Sequence, residues 1–402
     1  MDKRKIFIHF DEENGCVLHR LFLPYAEVAK LTDDFEFTFG YEHPEGTLEQ
    51  KLQEVCENDI FVFHRCLPDG LLDAIRKAKP EMIVICDMDD NWKLNDMHPA
   101  AGIYRKENTS DKILYHVKNS DYITCTTEYL ANMIRPFNKN VYVFNNALNQ
   151  EGQFVPHHIP SDRLRFGLIG GASHFKDYEL LEGVVNQLPK DVLDKIQFVL
   201  CGFDKGHYRI YGEDGKIRLI EMPYEKNSWH NVEVMLTNNY STITPEHRDF
   251  LLEHRYKVDY TTDEAYHRVW GKDIWTYASL YDQIDVLLVP LLDNDFSRCK
   301  SELKMVEASV MNKAVIVSDA APYNNSCAIN AIEKGGAINP EGNCILVNNN
   351  KGSKAWVKAI VKLTNDSDLR KMITDNLAKV CQQSKYNLHQ VAQERLKMLQ
   401  NI

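Results

Sequence analysis

Short apolar runs rich in Ile, Val and Phe recur almost from end to end of this chain, with amphipathic helical stretches between them. That alternation constrains the fold more than any other feature. Parallel strands need long crossovers, usually helical, and strands buried on both faces read as continuous apolar runs. The first half offers "KIFIHF", "FEFTFG", "DIFVFH", "MIVICD", "YITCT" and "VYVFN"; the second offers "LRFGLIGG", "IQFVLCG", "IDVLLVPL" and "AVIVSD". The expectation is an α/β protein whose parallel sheets are covered by helices on both faces.

At 402 residues the chain is too long for one ordinary core, which points to two domains. The alternation breaks at the polar, Pro-containing "NNALNQEGQFVPHHIPSD", the best linker in the sequence. A first domain over residues 1–150 and a second over residues 160–385 follow, with a helix over residues 386–402 packing back on the body. Within the second domain, residues 177–187 read as a helix and residues 267–291 as a helix feeding a buried strand. Residues 204–270 form a charged, aromatic-rich insertion containing a helix at "PEHRDFLLEH". Its rings Tyr208, Tyr211, Tyr224, Trp229 and Tyr240 suit sugar stacking if the insertion overhangs a ligand. In the tail, Trp356, Ile360 and Leu363 trace one helical stripe, and Leu388, Val391, Ala392, Leu396 and Leu399 another.

A formal charge of −11 makes the surface as a whole repel nucleic acid, so any phosphate chemistry must use a local group of Lys and Arg. The ten cysteines are scattered singly, without C-x-x-C pairs or zinc spacing, and read as reduced thiols. "MDKRKIFIHF" opens directly on a strand with no signal-peptide core, and no apolar run approaches ~18 residues, so a cytoplasmic protein is expected.

Three stretches carry candidate chemistry. "GLIGGASHFKD" sits between a strand and a helix, where Gly170 and Gly171 let backbone N–H groups approach an anion and Lys176 stands at the helix start. It is not G-x-G-x-x-G, so the dinucleotide fingerprint fails, and a plain tight turn explains it equally. "SRCKSELKMVEASVMNKAVIVSDAAPY" repeats the logic. Ser301 is a good N-cap, while Lys300 and Lys304 crowd the positive end of the helix, a cost of ~0.3–1 kcal/mol each that a bound phosphate would reverse. Glu307, one turn on, could accept from a ribose diol. The ordinary alternative is two solvated lysines, one paired with Glu307 along the helix. "CDMDDNWKLNDMHP" places Asp87, Asp89 and Asp90 past the carboxyl end of a buried strand, where they could bind Mg²⁺, act as a base, or cap the loop. His98 and the pair His64–Arg65 share that region and that ambiguity. No G-x-S-x-G elbow and no Walker A motif exists.

Taken together, these residues resemble the GT-B glycosyltransferases, especially the retaining branch called glycosyl transferases group 1. "LIGGASHFKD" resembles the family's G-R-x-x-x-x-K-G turn, with Gly170 and Lys176 in place. "KSELKMVEASVMNKAVIVSD" is similar to its Glu-Ala segment, with Glu307 and Ala308 matched. "YDQIDVLLVPL" and "EGNCILVNNN" look like the strand before the donor site and the family's "NGLLV" turn, and the tail follows its closing helices. "SDYITCTTEYLANMI…VYVFNNALN" resembles the end of the acceptor domain, and "GCVLHRLFLPYAEVAK" and "CDMDDNW" look like a bacterial subset. The resemblance covers most of the chain except the insertion. Two positions depart from it: Gly171 stands where the family has a phosphate-binding Arg, and Cys299 where it has the first Glu of its E-x7-E motif.

The resemblance implies two Rossmann-like domains with parallel sheets facing each other across a cleft. It implies transfer of a sugar from a nucleotide-diphosphate sugar to a glycan, lipid-linked or protein acceptor, with retention, in bacterial surface polysaccharide or glycoconjugate synthesis. Lys176 and Lys304 would stabilise the leaving diphosphate. Gly170, Gly171, Lys300, Ser301 and Glu307 would bind the donor, and Asp89, Asp90 and His98 are the acceptor-side candidates. Neither metal nor cofactor is expected, and nucleic acid is not an expected partner; peripheral association with the inner face of a membrane is compatible with this chemistry. A sugar-nucleotide epimerase of the same architecture and a non-catalytic nucleotide-binding subunit are the alternatives.

Overall fold

The computed structural model describes residues 3–10, 14–42, 44, 46–94, 96, 98, 100–211, 217–254 and 264–402. The chain divides into two compact units: Met1–Gln150 with Asn294–Val306 and Cys381–Ile402, and Glu151–Asp293 with Glu307–Val380. Residues 294–306 and 381–385, assigned to the second domain from sequence, thus group with the first unit.

The first unit is built on β1 (Arg4–His9), β2 (Phe35–Phe39), β3 (Ile60–His64), β4 (Ile83–Met88), β5 (Tyr122–Cys125) and β6 (Val141–Val143). All pair in parallel, in the order β2-β1-β3-β4-β5-β6. Successive residues of β1 separate onto two cores. Phe7 joins Phe61, Phe63, Val84 and Ile123 on one face, while Ile6 and Ile8 join Ile60, Val62 and Ile85 on the other. The second core is closed by Leu388, Val391, Ala392 and Leu399 of the C-terminal helix Leu388–Gln400, which packs along the helix Leu23–Leu31. Leu388, Val391 and Leu399 each contribute about 1.5–3 kcal/mol of hydrophobic stabilisation, which explains the tail's apolar stripe.

The second unit holds β7 (Leu164–Ile169), β8 (Ile196–Phe203), β11 (Tyr266–Trp270), β12 (Val286–Val289), β13 (Ala314–Ser318) and β14 (Ile345–Val347). Its parallel sheet runs β11-β8-β7-β12-β13-β14, the doubly wound order of a Rossmann domain. A separate antiparallel hairpin, β9 (His207–Tyr211) and β10 (Ile217–Glu221), lies in the insertion. The α/β reading with parallel sheets is what the structure has.

Three local expectations are corrected. Residues 267–291 do not begin as a helix: "YHRVW" is the edge strand β11, followed by a 3₁₀ segment over Tyr277–Gln283. Residues 177–187 break into short pieces, with Gly183 at φ 76° ending the run before Val184–Gln187. The insertion does not offer its described rings for stacking. Tyr224, Trp229 and Tyr240 are buried in the second unit's core, and the Tyr224 and Tyr266 hydroxyls donate to the buried Glu233, which also pairs with Arg268. A buried carboxylate needs such partners, so these aromatics are structural. The side chains of Tyr208 and Tyr211 lie outside the described residues.

Candidate functional site

In open α/β sheets, ligands sit beyond the carboxyl ends of the strands where the strand order reverses. In the second unit that point lies between β7 and β12. β7 ends at Ile169 and gives way to Gly170, Gly171 and a 3₁₀ turn over Ala172–His174. Glycine is required here by packing: Gly202 of β8, at φ +99°, would place a Cβ 2.3 Å from the Gly170 carbonyl oxygen. A Cβ on Gly170 would fall 2.6 Å from the Tyr178 hydroxyl, whereas one on exposed Gly171 would meet nothing nearer than Ser173 Oγ at 3.8 Å. Open space therefore lies above Gly171, at the start of a helical turn whose first N–H groups have no intrahelical acceptor.

Asp177 fixes this turn. One carboxylate oxygen accepts from His174 Nδ1 at 2.9 Å and the other from the Leu292 N–H at 2.9 Å, tying the loop after β7 to the loop after β12. Lys176 is half-exposed; its Nζ pairs with Glu179 Oε1 at 2.8 Å and lies 5.2 Å from the Phe175 ring centroid.

Glu307 sits in the helix Leu303–Val310 and is 1% exposed. Its oxygens accept from the Tyr277 hydroxyl at 2.6 Å and the Tyr281 hydroxyl at 2.5 Å. Burial, then the adjacent carboxylate, pushes both phenol pKa values well up, so both stay donors. The sequence reading pairs Glu307 with a ribose or a lysine; the structure gives it two tyrosines.

In the first unit the order reverses between β1 and β3. Beyond β3 and β4 lies a network of buried charges. Arg65 adopts φ 56°, uncommon for a residue with a Cβ, and its guanidinium bonds Asp89 and, at 3.1 Å, Asp90. His64 Nε2 lies 2.9 Å from Asp89 Oδ1. Lys300 Nζ lies 3.4 Å from each Asp90 oxygen and 4.7 Å from the Phe296 ring centroid. Arg65 first, and then His64, hold Asp89 well below the usual carboxylate range against its desolvation.

Deeper, Arg20 clasps Asp87 with two 2.9 Å bonds, and Thr124 Oγ1 donates to the same carboxylate at 2.5 Å. Arg20 lies in the π-helical turn Leu18–Phe22, where the Leu23 N–H reaches back to Leu18 O, just before Pro24, which has no N–H to give. Arg395 of the C-terminal helix approaches Asp87 at 3.7 Å and lies against the Tyr25 and Phe144 rings.

The first unit thus brings Asp89, Asp90 and Lys300 together. Ser301 joins them at the edge, its Oγ accepting from Asn146 Nδ2 at 2.9 Å. His98 accepts the Ala100 N–H on Nδ1 at 3.1 Å and packs edge-on against Phe296. Lys304 lies in the first turn of Leu303–Val310, half-buried. Among the described residues no group of three or more His, Cys, Asp or Glu could hold a metal. None of the ten cysteines forms a disulfide. No described helix is long and apolar enough to cross a membrane. Arg20, Arg65 and Arg395 organise the network of buried charges; sequence reasoning notes Arg65 only in the ambiguous pair with His64 and does not name Arg20 or Arg395. Their partners are separated by 67, 24 and more than 300 positions, a spacing with no local signature.

No family model matches the chain, and no curated protein matches it. Solved structures do. The Anabaena protein Alr3699/HepE, solved in complex with UDP and glucose, is 12% identical, with a TM-score of 0.61 over 99% of this chain and 100% of its own. An alpha-glucosyltransferase in complex with UDP and a DNA containing a HMU base is 10% identical, with a TM-score of 0.59 over 99% and 100%. The lipopolysaccharide outer core galactosyltransferase WaaB, in its apo form, is 10% identical at a TM-score of 0.51, covering 99% of both chains. The chain has the fold of the GT-B glycosyltransferases.

Proposed function

We propose that this protein is a glycosyltransferase that takes a sugar from a nucleotide-diphosphate donor and passes it to a glycan, lipid-linked or protein acceptor. The observation that carries the reading is the open turn at Gly170–Gly171, at the strand-order reversal of a Rossmann sheet and braced across it by Asp177. Open space at the start of a helical turn suits a phosphate. UDP bound to structurally similar proteins makes it the first nucleotide to test.

As the bond from the anomeric carbon to the β-phosphate oxygen breaks, its electron pair leaves with the diphosphate and negative charge grows there. Cations and N–H groups already in place stabilise that charge most in the transition state. We assign this role to Lys176 and Lys304, with Gly170, Gly171, Lys300, Ser301 and Glu307 on the donor side and Asp89, Asp90 and His98 on the acceptor side. In a retaining reaction the departing phosphate takes the acceptor proton and no protein base is needed. Bacterial polysaccharide or glycoconjugate synthesis without a metal, at the inner face of the membrane, is the setting that this chemistry fits.

A thermal-shift panel of nucleoside diphosphates and nucleotide-sugars tests the reading. A rise with one nucleotide, followed by acceptor-dependent release of that diphosphate from its sugar conjugate, supports transfer. Isomerisation of the donor sugar without an acceptor would favour an epimerase instead.

A further inference from the structure

A cavity of about 380 Å³ opens in the first unit between the turn before the helix Leu71–Ala78 and the helix Thr109–Asn119. That size falls within the range of about 300–1,000 Å³ typical of small-molecule sites. Both helix N-termini lie beyond the carboxyl edge of the sheet, one following β3 and the other preceding β5. The walls carry Asp69, Asp73, Asp111, Lys112, Tyr115 and His116.

Its chemistry is one-sided. Lys112 Nζ is committed to Asp69 at 2.9 Å, and the Tyr115 hydroxyl to Asp73. His116, 5% exposed, donates from Nδ1 to the Lys112 carbonyl at 2.7 Å, because a carbonyl can only accept. That fixes the tautomer and leaves Nε2 a bare lone pair, which makes no hydrogen bond among the described residues while the ring lines the cavity. Burial holds the imidazole pKa below its ordinary value, in keeping with a neutral ring. The cavity therefore presents three carboxylates against one ammonium, an unbonded acceptor nitrogen on a largely buried ring, and the half-open face of Tyr115. Such a set asks for a ligand that brings donors and positive charge on a ring-sized body.

We infer that this cavity binds an amino sugar, with its ammonium toward the Asp69–Asp111 side, its hydroxyls toward Asp73 and His116 Nε2, and its ring against Tyr115. The inference deepens the transfer reading and rests on it, naming a charged sugar as the class of acceptor.

The test titrates the full chain with glucosamine and with glucose at fixed ionic strength, following the His116 ¹⁵N resonances by NMR, and titrates UDP in parallel. We expect saturable glucosamine binding that shifts Nε2, and glucose weaker by about tenfold or more, the discrimination of one hydrogen bond to a charged group. Asp111→Asn and Asp69→Asn, both on the exposed rim, should each erase most of that preference with the His116 spectrum otherwise intact. Equal affinity for the two sugars, or unaltered glucosamine binding in both variants, overturns the site. Glucosamine binding without any UDP binding would keep the site and remove its acceptor role; UDP binding without glucosamine binding would remove the site and spare the transfer reading.

Discussion

Lys300 Nζ stands 3.4 Å from both carboxylate oxygens of Asp90, and both side chains are largely buried. The lysine that the sequence places at the mouth of a candidate anion site is held by an internal anion. Asp90 also has Arg65, so the two residues are not equivalent. Asp90→Asn strands Lys300 beside an apolar ring, and removing one partner of a buried pair costs about 3–5 kcal/mol. Lys300→Met leaves Asp90 with Arg65 and should cost clearly less. Urea unfolding of the two variants checks this order; equal losses would mean that Arg65 does not compensate.

Glu307 is expected to matter first for stability. Glu307→Ala removes a charged acceptor of both Tyr277 and Tyr281, and a hydrogen bond to a charged group contributes about 1.5–3 kcal/mol. Denaturation midpoints give the answer directly. A variant as stable as the parent but weaker in UDP binding would instead put the donor-side role assigned to Glu307 first.

Much of the fold was legible in the sequence, because a parallel strand buried on both faces announces itself. "FVF" of β3 and "VLLV" of β12 are continuous apolar runs that no solvent-facing strand would carry. What failed lacked that signal. β11 is "YHRVW", a strand with two polar residues, His267 and Arg268; Arg268 pairs with Glu233. β14 has three residues and reads as a turn. The insertion misled because an aromatic ring beside polar residues looks the same on the surface as in a core satisfied by Glu233. The site was half legible: Asp89 and Asp90 stand out after β4, yet nothing local tells that Lys300, 210 positions away, neutralises one of them.

Acid should weaken the second unit before its carboxylates titrate. Burial holds His247 at a pKa of about 4, with Glu264, Glu233 and Arg268 acting on it. The folded pKa lies below the unfolded value of about 6.5, so the unfolded chain takes up the proton first. The neutral ring's contribution is present above pH ~6.5 and is lost as pH falls toward ~4, up to roughly 3 kcal/mol on this group. Buried His116 acts in the same direction in the first unit. Stability measured from pH 7 to 4 should fall less steeply in His247→Gln; parallel curves would contradict the assignment.

Lys176 pairs with Glu179 yet remains half-exposed, so its loss should leave the fold unchanged. If its ammonium meets the leaving diphosphate, Lys176→Ala lowers kcat/KM for the donor by more than about tenfold, the signature of charge stabilised in the transition state. Steady-state turnover of whichever nucleotide-sugar the thermal-shift panel selects decides it. Turnover near the parent's would make Lys176 an ordinary surface cation.

The donor site itself is tested most directly at Gly171, where a Cβ would meet only Ser173 Oγ, at 3.8 Å. Gly171→Asp should fold as the parent does, because its side chain enters open space, but it puts a carboxylate where the diphosphate is proposed to lie. Calorimetric titration of UDP into both proteins is the measurement. We expect saturable binding to the parent and a loss of about tenfold or more in Gly171→Asp, with an unchanged Tm. Equal UDP affinity in the two proteins, or no binding of UDP to the parent, would contradict a diphosphate site at this turn.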